Sequence, residues 1–298
     1  MIICGEKNQV ILNIQEAIQA GELNRKVEEG DPSLSPEDRE ALLERYLAGQ
    51  GSYKRRCRSY AACKIRDVIG WTQNRDTQVT GLDHLAGLEG GAVVTSNHFN
   101  PLDSTIIRAL SKRAGKKRLY IVSQETNFAM TGFLGFLMNY ADTIPLSTGA
   151  NYMEKEFVPL VKSILDQGEW VLIYPEQEMW FNYRKPRPPK RGAYYLAAKC
   201  HVPVISCFVE MRDADEWDTE EFRKVSYTLH VLPLIYPEEG KTVRENSIAM
   251  MWQDYKQKSE SYERSYGLPL VYDFSPEDIA GWAGAVAGIS VNDRRMRA

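Results

Sequence analysis

Ala92-Val93-Val94-Thr95-Ser96-Asn97-His98-Phe99-Asn100-Pro101-Leu102-Asp103 is the stretch on which the reading of this chain turns. Its first four residues are apolar or β-branched without polar alternation, the pattern of a short strand covered on both faces. From Leu102 to Arg113 the spacing becomes helical, and Pro101 fixes the backbone of the intervening turn. A buried strand that leads through a tight turn into a helix is the building unit of an α/β sheet, whose ligands gather beyond the carboxyl ends of the strands. At that place His98 and Asp103 stand five positions apart. A histidine held by a carboxylate makes a general base near neutral pH, able to take a proton from a substrate hydroxyl. Taken alone, the pair is also open to a purely structural reading.

Working outward, the same rhythm repeats downstream. Strands are predicted at 92–95, 119–123, 142–146, 170–174, 202–209 and 227–234, and helices at 102–113, 153–166 and 193–199. Met153, Phe157, Leu160, Val161 and Ile164 give the second of these helices a clear apolar stripe. The alternation predicts an α/β fold with a mainly parallel sheet flanked by helices. Upstream the pattern is helical only, which predicts a small N-terminal helical region over 1–74 ahead of an α/β domain over 75–298. Val10, Ile11, Ile14, Ala17 and Ile18 mark one helix. Ser35-Pro36-Glu37-Asp38 starts a second, with a cap, a proline in the first turn and acids near the positive end. A third runs from Tyr53 to Trp71. There Tyr53, Cys57, Tyr60, Ala61, Ile65 and Val68 share one face, while Arg55, Arg56, Arg58 and Arg66 fall mostly on the other. Such a basic amphipathic helix either packs on the main domain or lies on an anionic bilayer. Near the end, a helix over 243–266 carries a stripe through Ile248, Met251 and Tyr255. Ser275 starts a short helix rich in small residues up to Gly288, and 292–298 reads as a frayed tail.

Composition narrows the function. A chain of 298 residues with 43% hydrophobic and 26% charged residues supports a buried core, and a net charge of -3 gives no reason to expect nucleic acid as a partner. Cys4, Cys57, Cys63, Cys200 and Cys207 follow no metal-ligand spacing, so no metal site is expected. Their odd number, and the lack of a secretion-signal pattern, predict reduced thiols and a cytoplasmic location. No apolar stretch reaches the roughly 20 residues a bilayer span needs. Any membrane contact is therefore expected to be peripheral, at the inner face.

A second motif, Tyr174-Pro175-Glu176, follows the strand pattern Trp170-Val171-Leu172-Ile173 and opens onto the same sheet edge as His98. With the first, it resembles blocks of the glycerophospholipid acyltransferase family, the lysophosphatidic acid and glycerol-3-phosphate acyltransferases. Asn97-His98 followed by four residues and Asp103 matches the first block. Gly135 through Ile144 resembles the second, Tyr174-Pro175-Glu176 the opening of the third, and Val202-Pro203-Val204-Ile205 the fourth, with Arg191-Gly192-Ala193 as the basic-Gly-Ala pattern before it. The order and spacing of the blocks carry the likeness, over roughly residues 75 to 240. The resemblance implies O-acyl transfer from acyl-CoA or acyl carrier protein to a lipid acceptor hydroxyl, with no cofactor beyond that co-substrate. It implies His98 as general base, Asp103 orienting it, and Glu176 at the acceptor site; Asn97 is expected to bind substrate, or to bond backbone or ring. No Gly-x-Ser-x-Gly elbow suggests a covalent acyl-enzyme.

The chain departs from the pattern in two places. The arginine expected to close the second block is absent from Thr143-Ile144-Pro145-Leu146, and Gln177-Glu178-Met179 stands where Gly-Thr-Arg continues the third. Either Arg184, Lys185, Arg187, Lys190 and Arg191, in a loop stiffened by Pro186, Pro188 and Pro189, supply the grip on an acceptor phosphate, or the acceptor carries no phosphate there and the basic loop is solvated or faces a membrane. Phe128, Phe133, Phe136, Leu137 and Met138 read as core, or as the lining of an acyl-chain tunnel. His84, His201 and His230 read as structural. An acyl thioesterase and a non-catalytic lipid- or acyl-CoA-binding protein remain as alternatives.

Overall fold

The computed structural model describes residues 6–30, 32, 34–147 and 149–285. The short helix-rich stretch expected up to Gly288 is covered only in part, and the tail 292–298 lies outside these residues. Seven strands form one sheet: β1 (Gln78–Thr80), β2 (Ala92–Thr95), β3 (Leu119–Gln124), β4 (Thr143–Leu146), β5 (Trp170–Leu172), β6 (Val204–Trp217) and β7 (Arg223–Val231), in the order β1-β7-β6-β2-β5-β3-β4. Every pairing is parallel except that of β6 with β7. This is the α/β fold that the strand–turn–helix rhythm predicts. β2 keeps its expected bounds and is buried at every position. β1 is an addition to the expected strands, because Gln-Val-Thr is short and mostly exposed and carries no periodic signal.

The helices are α1 (Lys7–Gln19), α2 (Pro36–Gly49), α3 (Tyr53–Gln73), α4 (Ser104–Arg113), α5 (Gly132–Tyr140), α6 (Ala150–Tyr152), α7 (Val158–Asp166), α8 (Gly192–Cys200) and α9 (Val243–Tyr266). A π-turn over Met153–Phe157 joins α6 to α7. One apolar cluster packs Ile106, Ile107 and Leu110 of α4 on Ala92, Val94 and Leu172, and the other packs α7 and α8 on Val93 and Val171. Helices thus cover both faces of β2, which explains its lack of alternation. The glycines that break the 128–138 stretch have separate reasons. Gly132 has φ +66°, and a Cβ on Gly135 would sit 1.9 Å from the carbonyl oxygen of Met130. Phe128 is buried against Tyr46, whereas Phe133 is exposed.

The N-terminal helices share cores with the sheet domain. Val10, Ile11 and Ile14 of α1 pack with Trp180, Phe181, Tyr183, Ile279 and Trp282. In α3 the expected faces are inverted. Arg66 is buried and bonds to the Ala141 carbonyl at 2.6 Å and to Asp142, while Tyr53, Tyr60, Val68 and Trp71 lie open to solvent. Ala62 and Gly70 supply the close approach, and the buried carboxylate of Asp142 draws Arg66 inward. A similar correction applies to α9. Its buried face is not Ile248, Met251 and Tyr255 but Met250, Asp254, Lys258 and Tyr262. Asp254 and Lys258 pair at 2.8 Å, and Thr95 and Tyr194 complete their hydrogen bonds, so a charged face is stable in the interior. Among the described residues, no helix is long and apolar enough to cross a membrane.

Candidate active site

The register that pairs Ala92 with Trp170 and Val94 with Leu172 carries on past the strand ends, where Ile173 N–H donates to the Val94 carbonyl. It brings Ser96 level with Tyr174 and His98 level with Glu176. The turn after β2 is pinned from below. Asn97 accepts from Val209 N–H at 2.8 Å and donates to the Val209 carbonyl at 3.1 Å, tying the turn to β6. Asn97 is 2% exposed, so its amide is spent on the backbone rather than offered to a ligand.

His98 Nδ1 lies 2.8 Å from Asp103 Oδ2. A carboxylate only accepts, so Nδ1–H donates to it and Nε2 is the nitrogen left for a ligand. The same oxygen accepts from Phe99 N–H at 3.0 Å and Asn100 N–H at 3.3 Å, which fixes the carboxylate within its own turn. The Asp103 side chain is 3% exposed and that of His98 21%, so the imidazole reaches the solvent side while its partner is sealed. Tyr174 stacks on the imidazole, with ring centres 3.9 Å apart and planes at 13°, and its hydroxyl donates to Asp103 Oδ1. Burial first, and then the charge of Asp103, push that hydroxyl well above its ordinary pKa.

Glu176 faces inward. Its Oε1 accepts from Arg187 N–H at 3.0 Å, and its Oε2 accepts from Arg187 Nε at 3.1 Å and, more weakly, from His98 N–H at 3.4 Å. The Arg187 side chain has no solvent exposure, stacks over Trp180 at 4.4 Å, and donates to the carbonyls of Leu23 and Glu178. Burial pulls its guanidinium below the ordinary pKa, and Glu176 opposes that pull. The loop arginines therefore part company. Arg187 is sealed on Glu176, Arg184 pairs with Asp213, and Arg191 alone of the three is exposed, beside Lys190 at the start of α8. Lys185, between them, is buried on Asp278 at 2.8 Å. The sequence does not distinguish these fates, because Asp213 and Asp278 come from distant segments.

The departures in the third block also have structural counterparts. Gln177 takes φ +68°, a left-handed conformation that suits the glycine it replaces. Its side chain is exposed. Gln177→Gly is expected to raise stability by up to about 1 kcal/mol, read as an increased midpoint of denaturant unfolding. A lower midpoint would show that the turn gains nothing from glycine. Met179, in the arginine's place, packs into the α1 cluster. Among the remaining histidines, His230 bonds Glu210 at 2.8 Å across β7 and β6, a carboxylate partner that no local motif announces. His84 bonds the Val231 carbonyl at 2.9 Å.

The model of the Acyltransferase family matches residues 76–210. This segment is similar to an acyltransferase domain. It takes in the turn after β2, the His98–Asp103 pair, Tyr174-Pro175-Glu176 and the first half of β6. The solved 1-acyl-sn-glycerophosphate (LPA) acyltransferase of Thermotoga maritima is similar over 86% of this chain and 94% of its own, at 15% identity and a TM-score of 0.48. None of the curated proteins matches in sequence.

Proposed function

We propose that this protein moves a fatty acyl group from the thioester of acyl-CoA or acyl carrier protein to a hydroxyl of a lysophospholipid or glycerol-phosphate-like acceptor. The observation that carries this reading is the His98–Asp103 contact at 2.8 Å, with Nε2 free at the carboxyl edge of the central strand. His98 Nε2 takes the hydroxyl proton as the acceptor oxygen attacks the thioester carbon. The thiolate leaves and recovers the proton, so no covalent acyl-enzyme is needed. Asp103 holds the imidazole and offsets its charge in the transition state. For the acceptor head group the exposed cations of the loop are Arg191 and Lys190, since Arg184 and Arg187 are engaged by carboxylates of the protein itself.

Incubating the protein with labelled palmitoyl-CoA and lysophosphatidic acid, against the same acceptor without phosphate, tests the reading by product. Acylated acceptor is expected, with the phosphorylated acceptor losing its advantage in Arg191→Ala. Free fatty acid without acylated acceptor would favour a thioesterase, and no turnover with tight acyl-CoA binding would favour a carrier.

The exposed row Tyr53, Tyr60, Val68 and Trp71 on α3, flanked by Lys54, Arg56 and Lys64, supports a peripheral seat on an anionic membrane at the inner face. Replacing Tyr60 and Trp71 together with serine is expected to lower partition onto phosphatidylglycerol vesicles about tenfold or more in sedimentation. Undiminished binding would rule out α3 as the contact.

A further inference from the structure

Asp103 uses its two oxygens unequally. Oδ2 receives His98 Nδ1–H and two backbone N–H groups, whereas Oδ1 receives the Tyr174 hydroxyl. We propose that Tyr174 is a positioning residue of the acyl-transfer site, holding Asp103 through its hydroxyl and the His98 ring through its face. This rests on the reading of His98 as the general base.

Register comes first. Tyr174 is the second residue beyond β5, and the parallel pairing of β5 with β2 sets it beside the strand end that launches His98. Its ring lies nearly parallel to the imidazole, so rotation of either ring about its bond meets the other. Nδ1 is thereby kept on Asp103 and Nε2 on the open side. The hydroxyl has a separate effect. Asp103 is 4% exposed, and a buried carboxylate oxygen without a donor is costly. A donor on Oδ1 also draws charge away from Oδ2, which tempers how strongly Asp103 favours the protonated imidazole. Burial and Asp103 keep the phenol protonated through the working pH range, so the donation does not switch off.

Other titratable groups near the pair come from three places. Tyr227 of β7 is pushed up to about 12, by burial first and Asp103 second, and so stays neutral. Cys207 of β6, also raised to about 12 by burial, is neutral as well. Glu176 and Arg187 neutralise each other behind the His98 backbone. Tyr174 is thus the neutral donor through which the strand of the third block acts on the first.

Tyr174→Phe separates the hydroxyl from the ring, since the stack survives and only the oxygen is lost. The expected result is a kcat about tenfold lower, KM for donor and acceptor within about twofold of wild type, and an acid limb of the kcat–pH profile moved to higher pH. Incorporating 3-fluorotyrosine at 174, a stronger donor of nearly the same shape, is expected to move that limb to lower pH. In a His98→Ala background, Tyr174→Phe is expected to have no further effect on the residual rate. Thermal unfolding of each variant checks that it is folded. A pH profile unmoved by either replacement, or an equal loss in the His98→Ala background, overturns the proposal. Wild-type activity in His98→Ala would instead sink the general-base reading. The two failures are therefore distinguishable.

Discussion

His98→Ala is expected to lower kcat for acyl transfer by about 10²–10⁴, with KM for the acyl donor little changed. The alanine leaves the turn after β2 intact, because Asn97 still holds Val209 and Asp103 still accepts from Phe99 and Asn100. What disappears is the nitrogen that combines a lone pair on the open side with a carboxylate behind it. Asp103→Asn should approach the same loss by another route. An amide nitrogen in the Oδ2 position would oppose the two backbone N–H donors, and an amide oxygen there would hold the ring without offsetting its charge. A steady-state assay of acylated acceptor with enzyme of unchanged melting temperature is the measurement. Wild-type turnover in His98→Ala would remove His98 from the mechanism.

Arg187→Ala is expected to cost about 3–5 kcal/mol of stability, because it leaves the Glu176 carboxylate buried without its counter-charge. For a chain of this size that corresponds to a fall in Tm of roughly 5–8 °C. The pair is sealed, with side-chain exposures of 0% for Arg187 and 4% for Glu176, so solvent does little to screen it. The alanine also loses the contact over Trp180 and the bonds to Leu23 and Glu178. A double variant, Glu176→Gln with Arg187→Met, should recover part of the loss, since no charge is then left unpaired. Thermal or denaturant unfolding of the single and double variants beside wild type decides it. A single-variant loss below about 1 kcal/mol would mean that water reaches Glu176 and that the pair contributes little. The Arg187 variant should therefore report on folding, while acceptor recognition is left to Arg191.

Local signals are the legible ones. β2, the turn and His98–Asp103 lie within one short stretch, so strand pattern, proline and spacing define them together. The parallel sheet follows from the alternation downstream. What stays hidden depends on contacts between distant segments. Tyr174 reads as an ordinary strand end until the β2–β5 register brings it over His98. Arg187 and Lys185 read as open to a phosphate or to solvent because Glu176 and Asp278, which bury them, are set in place by the loop and by the 275–278 turn. The face of α3 is inverted because periodicity weighs hydrophobicity alone, whereas Asp142 draws Arg66 inward and leaves the aromatics outside. In α9 a paired aspartate and lysine occupy positions that the same rule gives to apolar residues.

The packing of α1 bears on how the histidine turn is assembled. Trp180 N–H donates to the His98 carbonyl and Asn182 N–H to that of Phe99, so the loop that backs the histidine turn is 180–183. That loop is clasped between α1, which emerges before the sheet, and Ile279 and Trp282, which emerge after it. A nascent chain stalled before residue 279 holds every residue of the His98–Asp103–Tyr174 group but lacks the clasp. The His98 turn is accordingly expected to gain its full backing only when 279–282 join the loop that α1 holds.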